Sequence, residues 1–119
     1  MSKACLPGLL AALLLVASPC AAQDCERPDT PAQATECATL RLRAAEREMA
    51  SLMSELMKSD DQDFKEALAA AQDAWLKWRD AEGRLAGLTV TDKTLETSAR
   101  RTLEAQLTED RVKDLRGLR

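Results

Sequence analysis

Apolar residues recur along this chain at steps of four and three, the repeat of an amphipathic helix, in three separate stretches. The first stripe is Ala38, Leu42, Ala45, Met49, Leu52 and Leu56, while Arg41, Arg43, Glu46, Arg47 and Glu48 fall mostly on other faces. Ahead of it, Thr30-Pro31-Ala32-Gln33 reads as a helix start, with Thr as N-cap, Pro at the first position and Gln at the third. Met49, Met53 and Met57 read as adaptable core filling, with a ligand groove as the alternative.

Ser59-Asp60-Asp61-Gln62-Asp63 predicts a turn and the cap of a second helix. Ser59 and Gln62 have capping-box spacing, and the acids suit the positive end of the helix dipole. A calcium loop would need a glycine and a distal glutamate that this stretch lacks. The second stripe is Phe64, Leu68, Ala71, Trp75, Trp78 and Leu85, with a polar gap at Glu82. Ala67, Ala70 and Ala74 lie beside it and predict close approach of a neighbouring helix. Gly83 and Gly87 are expected to weaken and then end this helix. After a short connection, Asp92 is the expected cap of a third helix carrying Leu95, Ala99, Leu103, Leu107, Val112 and Leu115. That stripe is less regular and predicts a bend or restart near Thr108, with fraying at Gly117. Short connections make sequential helices antiparallel, so the expected fold is all-α, an antiparallel up-down bundle of three long helices.

The first 22 residues stand outside this pattern. Lys3, the apolar run Leu6–Val16 and the small residues Ser18-Pro19-Cys20-Ala21-Ala22 make a secretory signal peptide cut after Ala22. The run is too short to span as a mature membrane helix. Lipoprotein processing at Cys20 is the alternative. A single helical domain, residues 23–119, then remains, periplasmic or secreted and without a transmembrane segment. It keeps Cys25 and Cys37, and an even pair in an exported chain reads as one N-terminal disulfide. The loop it closes is worth about 3 kcal/mol on the chain-entropy model. Free thiols or a metal site are the alternatives, but with no histidine in the chain two cysteines are too few zinc ligands.

Charge and chemistry narrow the function. Removing Lys3 takes the formal charge from −3 to −4. That balance disfavours nucleic acid and suits a basic protein partner. No histidine is present for general base work and no glycine-rich phosphate loop occurs, so neither an enzyme nor a cofactor is expected. Acidic pairs such as Glu46/Glu48 or Asp60/Asp63 could be imagined as glycosidase carboxylates, but they sit on a solvated helix face and in a cap. Both tryptophans lie three residues apart in Ala71-Gln72-Asp73-Ala74-Trp75-Leu76-Lys77-Trp78-Arg79-Asp80-Ala81-Glu82. Trp75 reads as core. Trp78 beside Arg79 has the composition of an interface anchor. Equally, Trp78 could pack on a neighbour while Arg79 pairs with an acid of the first or third helix.

Three motifs in order carry a resemblance: Cys25 and Cys37 ahead of a long helix, Ala71-Gln72-x-x-Trp75-x-x-x-Arg79-Asp80 on the second, and Leu107-Thr108-x-x-Arg111-x-x-x-Leu115 on the third. Together they resemble the LprI-type lysozyme inhibitor family, small exported bacterial helical domains, over essentially the whole mature chain. The family usually has a second cysteine pair, at positions that are Gly83 and Leu103 here. Their joint absence is what loss of one disulfide as a unit would leave, and it predicts a looser end between the second and third helices. Family members often have Tyr where this chain has Trp78. The resemblance implies a non-catalytic protein that binds a basic lysozyme. Gln72, Trp75, Asp80, Thr108 and Arg111 read as a structural motif of packing and helix–helix hydrogen bonds. The expected binding face is centred on Trp78, Arg79 and Glu82, with Asp60, Asp61 and Asp63 helping. The alternative is an envelope protein-interaction module, an immunity or accessory factor with another protein partner. An apolar stripe on each helix also leaves a homodimer open.

Overall fold

The structure, a computed structural model, describes residues 25–119; the expected signal peptide and its cleavage site lie outside the described residues. Three helices follow one another, α1 (Pro31–Leu56), α2 (Gln62–Thr89) and α3 (Glu96–Arg116), with a 3-10 turn at Lys93–Leu95. Ion pairs between Arg41 and Glu109 and between Arg116 and Glu48 show that α1 and α3 run parallel. The contacts Gln72–Arg111 and Arg79–Thr108 show that α2 runs antiparallel to α3. The fold is thus the expected all-α up-down bundle, with α3 packed along both other helices.

Local chemistry fixes the helix starts. Thr30 caps α1, its hydroxyl accepting from the Gln33 N–H at 3.1 Å, with Pro31 in the first turn. Gln33 reaches back to accept from the Asp29 N–H at 2.8 Å. A disulfide joins Cys25 to Cys37, their Cα atoms 5.4 Å apart, and pins the segment ahead of α1 to its second turn. The cap of α2 is Asp61, not Ser59: its carboxylate accepts from the Phe64 N–H at 3.0 Å, while the Ser59 hydroxyl accepts from the Asp61 N–H. A carboxylate at the N-cap gains from the helix dipole as well as the hydrogen bond, and so takes the position. Asp92 caps the 3-10 turn that leads into α3, accepting from the Thr94 N–H at 2.9 Å.

The predicted stripe of α1 is its buried face, residue for residue. It meets Leu68 of α2 and Val112 and Leu115 of α3 in an apolar cluster near the α1–α2 turn, with Met53, Phe64, Trp75 and Leu76 packed against it. The α2 stripe is different. Leu68 is buried and Phe64 and Trp75 are half-buried, but Ala71, Trp78 and Leu85 are exposed. The face turned inward is Leu68, Gln72, Arg79, Gly83 and Gly87. Ala67, Ala70 and Ala74 face solvent and bring no helix close.

Close approach comes instead from the two glycines, which α2 runs through rather than ending at. A Cβ on Gly83 would lie 2.6 Å from Cγ of Glu104, and one on Gly87 would lie 3.1 Å from the Glu96 carbonyl oxygen. Helix α3 therefore beds directly on the α2 backbone, and the end expected to be loose is packed without a disulfide. On α3 itself the buried face is Ser98, Glu104, Ala105, Thr108, Val112 and Leu115. Leu95 is exposed, and Ala99, Leu103 and Leu107 are half-buried. The helix passes Thr108 without a break. No described helix is long and apolar enough to cross a membrane.

Candidate functional site

Halfway along the bundle the apolar core gives way to a polar network that joins all three helices. Arg79 of α2 is its hub, with a side chain only 9% exposed. Its guanidinium donates to Glu46 of α1 at 3.0 Å and to the Thr108 hydroxyl of α3 at 3.1 Å. Through Nε and Nη2 it also donates to Asp80, at 3.1 and 2.9 Å. The Thr108 hydroxyl passes its own proton to the Glu104 carbonyl at 2.7 Å, so one buried oxygen is satisfied as acceptor and as donor. One turn along, Arg111 donates to the Gln72 carbonyl oxygen at 3.1 Å, and the Gln72 amide donates to the Met49 sulfur at 3.2 Å. The guanidinium groups of Arg79 and Arg111 lie over the Trp75 ring, 5.5 and 5.8 Å from its centroid. Cations over an indole face are worth about 0.5–2 kcal/mol each, depending on desolvation. Trp75 is thus half core and half platform for two arginines.

The motif residues Gln72, Trp75, Arg79, Asp80, Thr108 and Arg111 therefore come together from positions up to 39 residues apart. Their arrangement is that of a three-helix clamp: Arg79 reaches α1 at Glu46 and α3 at Thr108, Arg111 reaches α2 at Gln72, and the bonds to Asp80 and the Glu104 carbonyl hold these side chains from within their own helices. Beside the clamp lies a second buried charge. Glu104 is 1% exposed, and its carboxylate accepts from Arg100 and Arg101, each at 2.8 Å. The Glu104 carboxylate raises the Arg100 pKa, first by its hydrogen bond and then by its charge. Glu104 packs on Gly83, one of the two positions where the family resemblance placed cysteines; Leu103 lies instead in an outer groove with Val90 and Leu95. The sequence reading missed Glu104 because a glutamate among Arg100, Arg101 and Gln106 looks like a solvated face. Its signal was the glycine opposite.

The chain belongs to the LprI lysozyme inhibitor family. The family model described as Lysozyme inhibitor LprI matches residues 22–115, from ahead of Cys25 to the last buried residue of α3. No curated protein and no solved structure matches the chain.

The residues expected on the binding face of this family member do not form one patch. Trp78 is 48% exposed and Glu82 half-buried, whereas Arg79 points into the clamp. Asp60, Asp61 and Asp63 sit at the α1–α2 turn. Fifteen residues of helix separate Asp63 from Trp78, about 22 Å along the axis. Asp60 and Asp63 are exposed at that tip with Glu66 nearby, the Asp61 carboxylate is engaged as the cap, Glu55 pairs with Arg119, and Lys58 is exposed beside them, which leaves the tip acidic on balance. Between α1 and α3 runs a groove of about 370 Å³ lined in part by Arg41, Glu48, Glu109 and Arg116. Across the groove Arg41 pairs with Glu109 and Arg116 with Glu48, while Lys113 in its wall pairs with Asp110 outside it, so each of these charges already has a partner. Among the described residues no cluster of acids or cysteines has the make-up of a metal site.

Proposed function

We propose that this domain is a stoichiometric, non-catalytic inhibitor of lysozyme that works in the periplasm or outside the cell. Family membership over residues 22–115 carries the reading. What supports a contact surface is the turn between α1 and α2, where Asp60 and Asp63 are exposed beside Leu118 and Arg119 at the end of the bundle. A basic lysozyme would be steered to this tip by charge, and a turn already ordered by its helix cap would bind at little entropic cost. In this reading Arg79 holds the three helices together from inside the clamp and does not touch the partner.

The test is titration of the mature domain, disulfide intact, into lysozyme hydrolysing cell walls at low and physiological salt. The expected result is inhibition that saturates at a fixed molar ratio and weakens as salt rises. Asp60→Asn with Asp63→Asn should weaken it further without altering the fold. No inhibition of several lysozymes at large excess would overturn the proposal and favour an envelope interaction module with another protein partner.

A further inference from the structure

Part of the stripe that the sequence places on α2, namely Ala71, Trp78 and Leu85, lies on the outside, where it belongs to a longer exposed series. Exposed apolar residues occupy positions 67, 71, 74, 78, 81, 85 and 88, alternating steps of four and three without a break over three heptads. Trp78, Leu85 and Leu88 are 48%, 56% and 59% exposed, and the other four positions are alanine. A strict four-three repeat is the seam of one helix against another. It is not the pattern that an irregular enzyme surface selects.

Two asymmetries along the seam point to the occupant. The first is size: positions 67, 71 and 74 are all alanine, whereas 78, 85 and 88 are Trp, Leu and Leu. The second is charge: along one edge, Glu66 and Asp73 precede Lys77 and Arg84, all four exposed. If a second α2 lay antiparallel, each large half would meet an alanine half, and large against small is what lets a seam interdigitate. About a two-fold axis near residue 75, Glu66 would face Arg84 of the other copy, and Asp73 would face its Lys77. A parallel pair would instead set Trp78 on Trp78 and alanine on alanine, and would turn the charged edge toward the opposite edge of the other copy, so the Glu66–Arg84 and Asp73–Lys77 pairings would be lost. Lys77 and Asp73 now pair within the helix at 2.8 Å, but both are more than two-thirds exposed and can exchange partners.

We propose that the outer face of α2 is a self-association surface on which two copies of this chain pair antiparallel. The seam runs about 32 Å along the helix. A strip about 10 Å wide over that length is on the order of 300 Å² per chain, below the roughly 800 Å² of a standard interface. The dimer is therefore weak and reversible. Its two acidic tips would point in opposite directions, on the order of 40 Å apart.

Sedimentation velocity on the mature domain, from micromolar to near-millimolar, tests this. A concentration-dependent monomer–dimer equilibrium is expected. Leu85→Lys should abolish it with far-UV circular dichroism unchanged, because Leu85 supports nothing inside the bundle. Glu66→Arg and Arg84→Glu should each weaken pairing about tenfold or more through like-charge contacts, and mixing the two variants should restore it as a heterodimer. A monomer at every concentration, a dimer indifferent to Leu85→Lys, or a mixture no tighter than its components would overturn the proposal. So would a seam variant that is monomeric like the wild type yet no longer inhibits lysozyme, which would give the stripe to the enzyme instead.

Discussion

Replacing Arg79 by alanine probes the clamp at its hub. The arginine side chain is 9% exposed, but its partners Glu46 and Asp80 are 40% and 50% exposed. Both acids can rehydrate once the guanidinium is gone. Thr108 keeps its bond to the Glu104 carbonyl, so no buried donor is orphaned. The loss therefore falls toward the low end of the roughly 3–5 kcal/mol typical of breaking a fully buried pair. Hydrogen bonds to Glu46 and Thr108 contribute about 1–2 kcal/mol net, since one partner is solvated. The contact with Trp75 adds about 0.5–1 kcal/mol, and the buried aliphatic stem about 1 kcal/mol. The expected destabilisation is about 2–4 kcal/mol, a fall in Tm on the order of 10–20 °C for a domain this small. Urea unfolding followed by circular dichroism and tryptophan fluorescence measures it. Arg79→Met, which keeps the stem, and Arg79→Lys, which keeps the charge but loses the planar fork, should each recover part of the loss. A loss under about 0.5 kcal/mol for Arg79→Ala would refute the reasoning, because the clamp would then be an ordinary surface ion pair.

Other consequences follow from the same geometry. Gly83→Ala should destabilise by about 1–2 kcal/mol despite the better helix propensity of alanine, because its Cβ would push Glu104 out of its arginine pair; a more stable variant in the same urea assay would contradict the close approach. Reducing the Cys25–Cys37 bond, whose partners are 12 residues apart, should lower stability by about 3 kcal/mol, read as a shift in thermal midpoint with and without reductant. The Thr94 hydroxyl and then its N–H hold the Asp92 carboxyl below its usual 3.8. A depressed folded value means that the stabilisation from this cap is present above pH 3.8 and is lost as pH falls through the folded value. The protection of the Thr94 amide, relative to its intrinsic exchange rate at each pH, should therefore fall in acid, and Asp92→Asn should blunt that dependence.

The sequence was a good guide where burial is apolar and a poor one where it is not. On α1 the inward residues are aliphatic, so periodicity alone identified all six. On α2 the inward face is built from Gln72, Arg79, Gly83 and Gly87. A search for apolar residues then locks onto Trp78 and Leu85, more than a third of a turn away, and takes an outer seam for core. Helix α3 divides in the same way: Val112 and Leu115 were legible from periodicity, Thr108 only through the family motif, and Ser98 and Glu104 not at all. The signal was present in another form. Gln72 and Arg79 are seven residues apart, two turns on one face, and Gly83 and Gly87 continue that face four residues at a time. Glycine in a helix at that spacing marks a place where another backbone comes close. The motif residues likewise suited helix–helix bonding better than a plug, and the clamp shows which partner each one takes.

In the proposed complex the acidic turn between α1 and α2 meets lysozyme, and the clamp stays inside the bundle. Amide chemical-shift mapping of the isotope-labelled mature domain, titrated with unlabelled lysozyme at low salt, tests it most directly. The expected perturbations concentrate at residues 55–66, with the amides of Arg79, Thr108 and Arg111 unmoved. Perturbations centred on the outer face of α2, or none at saturating lysozyme, would contradict it.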